Sequence, residues 1–133
     1  MTAPWTQQVE LADLLTSKEL LTTSQVPEKV TPPFRYVLTS DPWIASGPTL
    51  GSWRVRFRVV CVTAPGSNEK QMTDLSDMVR AVVRALKGSR FKVDGDAVDE
   101  PAVMATGSGA SLGAAVNVST VISRAEFEEE PAP

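Results

Sequence analysis

Over residues 52–63 the chain alternates with a period of two. Trp53, Val55, Phe57, Val59 and Cys61 fall on one face, and Arg54, Arg56, Arg58, Val60 and Val62 on the other. Only an extended strand sets successive side chains on opposite sides, so this stretch demands a sheet with one apolar face. The arginines keep the first half of the second face polar. Val60 and Val62 make the far end apolar on both sides, which predicts cover on both. The rest of the chain must supply partner strands and a layer over the Trp53–Cys61 face.

The layer is legible just downstream. Pro65-Gly66-Ser67 is a turn, and Asn68 followed by Gln71 resembles a capping box. From there Met72, Leu75, Met78, Val79, Val82, Val83 and Leu86 recur at helical spacing and form one broad apolar stripe. Asp74 and Asp77 lie early, and Arg80, Arg84 and Lys87 late, which complements the helix dipole. Gly88 stands where a left-handed cap ends such a helix. A second helix is expected over residues 6–21, from Val9, Leu11, Ala12, Leu14 and Leu15.

The remaining segments read as strands and turns. Pro27, Pro32, Pro33, Pro42 and Pro48 exclude a continuous helix or a central strand over residues 26–51. Phe34 to Thr39 is a short strand between prolines. Asp41-Pro42-Trp43 and Gly47 to Gly51 are ordered loops, the first held by Trp43 if its ring is buried. Phe91-Lys92-Val93 precedes a Gly95-Asp96 turn, and Pro101 to Thr106 is a further strand. Leu112, Ala114, Val116, Val118 and Ile122 alternate with Gly113, Asn117 and Ser119, giving a long strand with one apolar face. Helices and strands do not alternate regularly. The fold class expected is α+β, a mainly antiparallel sheet packed against one long amphipathic helix, with an N-terminal helix. One domain over residues 1–125 and a flexible, acidic, Pro-containing tail over 126–133 complete the expectation.

Few residues carry chemistry. The chain of 133 residues has no histidine and one cysteine, Cys61, on the apolar face of the strand. Core packing is the expectation for that thiol. Thr106 to Ala115 superficially resembles a dinucleotide-binding glycine turn, but a strand follows where that motif needs a helix, so a hairpin turn is expected. Asp94, Asp96, Asp99 and Glu100 match no calcium-loop template and are expected to be a solvated loop. No catalytic, metal or cofactor-binding residue is nominated. The net charge of −3 argues against wrapping nucleic acid or seeking an anionic membrane. No apolar run reaches a bilayer's thickness and no signal peptide is visible, so a soluble, intracellular domain is expected. What remains is the arginine row. Arg54, Arg56 and Arg58 are the candidate contact surface for a neighbouring subunit or an acidic partner, with Arg80, Arg84 and Trp43 as further candidates. The plain alternative is a solvated face of long side chains.

The order of features resembles the tail terminator (tail completion) proteins of long-tailed, non-contractile bacteriophages. An N-terminal helix leads to Val26-Pro27 and Thr31-Pro32-Pro33, then a short strand and Asp41-Pro42-Trp43. A long strand with alternating Arg and Val, Trp53 to Val62, enters a helix through Gly66-Ser67-Asn68, and small β segments follow. The likeness covers residues 9–122. It implies a small non-enzymatic α+β subunit without cofactor, forming a hexameric ring at the head–tail neck of the virion after assembly in the host cytoplasm. The ring would cap the tail tube, stop polymerisation of the major tail tube protein and present a surface to the head–tail connector or stopper protein. DNA would pass through it without sequence-specific binding. Two other expectations stand beside this one: a head–tail connector or stopper subunit, and a small acidic binding module outside any virion.

Overall fold

A computed structural model describes residues 4–18, 20, 22, 33–106 and 109–123. Its elements are α1 (Pro4–Ser17), β1 (Phe34–Ser46), β2 (Ser52–Val62), α2 (Asn68–Ala85), β3 (Lys92–Val98), β4 (Ala102–Thr106) and β5 (Gly109–Ser123). The fold is α+β. All strand pairs are antiparallel, in the order β1-β2-β5-β3, and β4 also pairs with β5. Strands β3 and β4 share that edge of β5: β3 lies against Val116 to Ser119 and β4 against Gly109 to Gly113. Since β2 and β3 both run antiparallel to β5, α2 is a crossover between two parallel strands that β5 separates.

The alternation of β2 decides the layering. Trp53, Val55, Phe57, Val59 and Cys61 stand opposite Ile122, Thr120, Val118, Val116 and Ala114 of β5. This face meets Leu11 and Leu15 of α1, and Leu75, Met78 and Val82 of α2, in one core cluster. Each fully buried Val, Leu or Phe there contributes roughly 1.5–3 kcal/mol of transfer free energy. Two helices of 14 and 18 residues therefore cover the sheet, not one long helix. Met72, counted in the apolar stripe, is 44% exposed and lies at its margin. Val60 and Val62 are buried on the second face with Tyr36 and Ala115, flanked by Phe34 and Leu38. The cover predicted for both sides of that strand end is present.

Four boundaries differ from the sequence expectation, each for a local reason. Helix α1 stops at Ser17, not near residue 21, because Ser17 Oγ donates to the Leu14 carbonyl (2.6 Å) and Thr16 Oγ1 bonds the backbone of Thr22. Hydroxyls that compete for backbone groups in this way end helices. The N-cap of α2 is Ser67, not Asn68: its Oγ accepts from the Lys70 amide at 3.2 Å. Gln71 turns inward instead, accepting from the Leu112 amide (2.6 Å) and Thr63 Oγ1 (3.1 Å) and donating to the Gly66 carbonyl (2.9 Å). Strand β1 runs through Asp41-Pro42-Trp43 to Ser46, with an irregularity between Thr39 and Ile44. Likewise β3 continues through Gly95-Asp96, where the pairing with β5 shifts between Val93 and Val98. Gly88 does adopt a left-handed φ of 78° just after α2, which a side chain would strain. Thr106 pairs with Gly109 and β5 is a strand where a dinucleotide motif would need a helix; residues 107 and 108 of the expected turn lie outside the described residues. The segment 23–32, with Val26-Pro27 and most of Thr31-Pro32-Pro33, and the tail 124–133 lie outside the described residues.

Candidate functional site: an arginine row braced by aspartates

The register of β2 with β5 places Arg54 opposite Val121, Arg56 opposite Ser119 and Arg58 opposite Asn117. All three arginines thus lie on the face turned away from the helices, as the alternation requires. Two of them are answered from within the chain. Arg56 Nε donates to Asp94 Oδ2 at 3.4 Å, and Ser119 Oγ donates to the other oxygen, Oδ1, at 2.6 Å. Arg58 Nη2 donates to Asp99 Oδ2 at 2.7 Å, and Asn117 Nδ2 donates to Asp99 Oδ1 at 3.0 Å. Each aspartate therefore receives one guanidinium from β2 and one neutral donor from β5. The pattern repeats two residues apart along both strands.

The two units differ in depth. The Arg56–Asp94 pair is 22% and 14% exposed, and the Arg58–Asp99 pair 40% and 43%. The Asn117 amide is the first cause holding the Asp99 carboxyl below the ordinary carboxylate range, and Arg58 adds to it. On the same face Tyr36 is buried, which raises its phenol's pKa against the opposing pull of Arg58. Arg56 also reaches the β1 irregularity. Its Nη1 donates to the carbonyls of Asp41 (3.4 Å) and Pro42 (3.5 Å). This guanidinium, not a buried indole, holds Asp41-Pro42-Trp43 in place, for Trp43 is 37% exposed.

Arg54 stands apart. No carboxylate pairs with it among the described residues, and its Nε is shielded from solvent without a hydrogen-bond partner. It lines a hollow of about 370 Å³ with Ala45, Ser46, Arg56, Asp94 and Gly95. Arg80 and Arg84 lie elsewhere. They are exposed on α2, whose buried residues Leu75, Met78 and Val82 face the sheet, so they project from the opposite side of the molecule. The candidate set therefore divides into Arg54, Arg56, Arg58 and Trp43 on one side and Arg80 and Arg84 on the other.

Asp94 and Asp99, read from the sequence as part of a solvated loop, are the residues that reasoning along the chain missed. Their partners lie 38 and 41 positions away. A signal was nonetheless available: Asn117 and Ser119 place two polar side chains on one face of β5 at the same two-residue step as Arg56 and Arg58. Cys61 is buried in the core, and burial pushes its thiol up to about 11 against the pull of Arg35. The chemistry this face offers is charge pairing and directional hydrogen bonding. Among the described residues, no helix is long and apolar enough to cross a membrane. No protein-family model matches the chain, and no curated protein matches it either.

Proposed function

We propose that this protein is a structural subunit of the tail terminator type. Copies close into a ring, a hexamer by the resemblance, at the head–tail neck of a phage particle. The ring caps the tail tube, stops polymerisation of the major tail tube protein and offers a surface for joining the head. It acts as a scaffold, without catalysis or cofactor. The observation that carries this reading is the one-sided fold. Both helices pack on one face of the sheet, and part of the other face presents a charged surface on which Arg56 and Arg58 are braced in register. A ring subunit needs surfaces held in one geometry, because small angular errors prevent closure. The sequence resemblance over residues 9–122 supports the same assignment.

The decisive experiment deletes the subunit from its particle. Tails of uncontrolled length that fail to join filled heads are expected, because nothing caps the growing end. Normal tails attached to heads would refute the proposal. Normal-length tails that stay unattached would favour a connector or stopper subunit. A purified protein that remains monomeric at high concentration and is absent from particles would favour a binding module outside the virion.

A further inference from the structure

We infer that the groove between the end of α2 and the start of β3 binds an aromatic side chain set among carboxylates, and that its occupant is Phe127 of this chain's own C-terminal segment. The groove measures about 320 Å³, near the lower end of ligand-sized clefts, roughly 300–1,000 Å³. Val83 and Leu86 at the end of α2, with Phe91 and Val93 at the start of β3, make its apolar lining. Lys87 and Lys92 also line it, and both are exposed. Arg80 and Arg84 precede Lys87 at helical spacing, so these three cations share one face of α2. The acidic residues of α2, Glu69, Asp74 and Asp77, all lie before Arg80. None of Arg80, Arg84, Lys87 and Lys92 pairs with a carboxylate among the described residues. A chain of net charge −3 thus keeps a basic, apolar-floored groove open on its helix side.

Shape and charge together select the ligand. A plain acidic run would answer the cations but leave the apolar lining wet, and a plain apolar side chain would do the reverse. The sequence past β5 supplies both, in Glu126-Phe127-Glu128-Glu129-Glu130. Phe127 is the one aromatic residue of the chain with an acidic residue on each side. The tether also fits. Ser119 stands opposite Lys92, and β5 ends at Ser123. Phe127 lies as many residues beyond Ser123 as Ser119 lies before it. An extended chain spans at most about 3.3–3.6 Å per residue, so a segment that turns back after Ser123 can bring Phe127 level with Lys92. A tether this short presents the segment to its own groove at an effective concentration on the order of millimolar, above that of a second copy in dilute solution. The glutamates beside Phe127 then meet Lys87 and Lys92.

The test follows methyl signals by NMR in the full-length protein with 13C-methyl-labelled valine and leucine. A ring seated in the groove shifts the methyls beside it. Phe127→Ala should therefore move the signals of Val83, Leu86 and Val93 and leave those of Val55 and Val118, in the core beneath β2 and β5, in place. The change should be the same at all protein concentrations. An acetylated peptide with the sequence of residues 124–130 should bind the Phe127→Ala variant at least tenfold more tightly than the parent, whose own segment competes for the groove. The same peptide with glutamine for every glutamate should bind at least tenfold more weakly. Lys87→Glu combined with Lys92→Glu should also weaken peptide binding at least tenfold, with circular dichroism confirming the fold. Groove signals that ignore Phe127→Ala overturn the inference, as does equal binding of the all-glutamine peptide. A change that grows with protein concentration places Phe127 on a second copy and overturns the intramolecular assignment. A change that spreads to Val55 and Val118 is a general loss of packing and overturns it as well. The readout is on the isolated protein and away from the arginine row, so the tail-length test stands apart from it.

Discussion

The two faces of the sheet are built from the same strands but are held by different forces. The face under the helices is apolar and fully buried from Val55 through Cys61, and it is fixed by shape and the loss of hydrated surface. The other face is apolar at its Val60–Val62 end, but its arginine half is fixed by pairing: Arg56 and Arg58 of β2, aspartates of the β3 region and polar side chains of β5 interlock in register. Apolar packing tolerates many partners and penalises gaps. A charge pair tolerates exposure but requires its own partner. The first kind of face is therefore suited to holding the fold, and the second to being met by another molecule without being remade.

The largest expected effect breaks the apolar side. Val82 is fully buried on α2. Val82→Asp places an unpaired charge there, at a cost of several kcal/mol, about enough to unfold a marginal domain. Thermal melting followed by circular dichroism should show a transition lost or lowered by tens of degrees. A near-normal melting temperature would mean that α2 is not seated on the sheet through this residue.

Next comes the deeper of the two charge pairs. Asp94→Ala strips Arg56 of its carboxylate and Ser119 of its acceptor in a partly buried setting. The expected loss is about 1–2 kcal/mol, between that of an exposed pair and that of a fully buried one. Urea unfolding monitored by the tryptophans measures it. Double substitution with Arg56→Gln should recover part of the loss, since the two changes remove one interaction. Strict additivity would show that the pair does not couple the strands.

These two effects also differ in how far they could be read from the chain. The apolar side was legible because its signals are local. The period of two in β2 and the helical spacing of Leu75, Met78 and Val82 are visible within a dozen residues. The polar side was half legible. The arginines announced their own face, but Asp94 and Asp99 lie far along the chain and a turn-like Gly95-Asp96 disguised a continuing strand. Pro42 similarly hid the second half of β1, which Arg56 grips through two carbonyls from the neighbouring strand. At α2, Ser67 and Asn68 are both good caps. The capping-box pattern pointed to Asn68, although Gln71 is committed to Leu112, Thr63 and Gly66. In each case a long-range hydrogen bond decided against the local signal.

The shallower pair predicts a pH dependence. Asn117 and Arg58 hold the Asp99 carboxyl below its ordinary range in the folded protein. The ionised form is thus favoured by folding. Its contribution is present above the unfolded carboxylate range and is lost as pH falls through the lowered folded value. The pair is about two-fifths exposed, so solvent screens it and its worth is at most about 1 kcal/mol. Asp99→Asn should therefore cost little at neutral pH and flatten the acid side of the stability profile. An unchanged acid limb would assign acid sensitivity to other carboxylates.

The smallest effect sharpens the comparison within the arginine row itself. Arg56→Gln leaves Asp94 with Ser119 alone and removes the donor to the Asp41 and Pro42 carbonyls, so a loss of about 1 kcal/mol is expected. Arg54→Gln removes a guanidinium whose Nε has no partner among the described residues. Its loss should stay within about 0.5 kcal/mol, the usual range for a side chain outside any such network. The measurement is the urea midpoint of each variant against the parent, at low salt and at one molar salt. Salt should shrink the difference, because the Arg56 contribution is partly electrostatic and screening acts on it more than on packing. If the Arg54 variant proves the costlier of the two, the Arg54 side chain contributes to the monomer through the packing of its stem on β1 and β5 rather than through a charge pair. If both are neutral, the Arg56–Asp94 pair contributes nothing measurable to folding, and that part of the face owes its geometry to the strands.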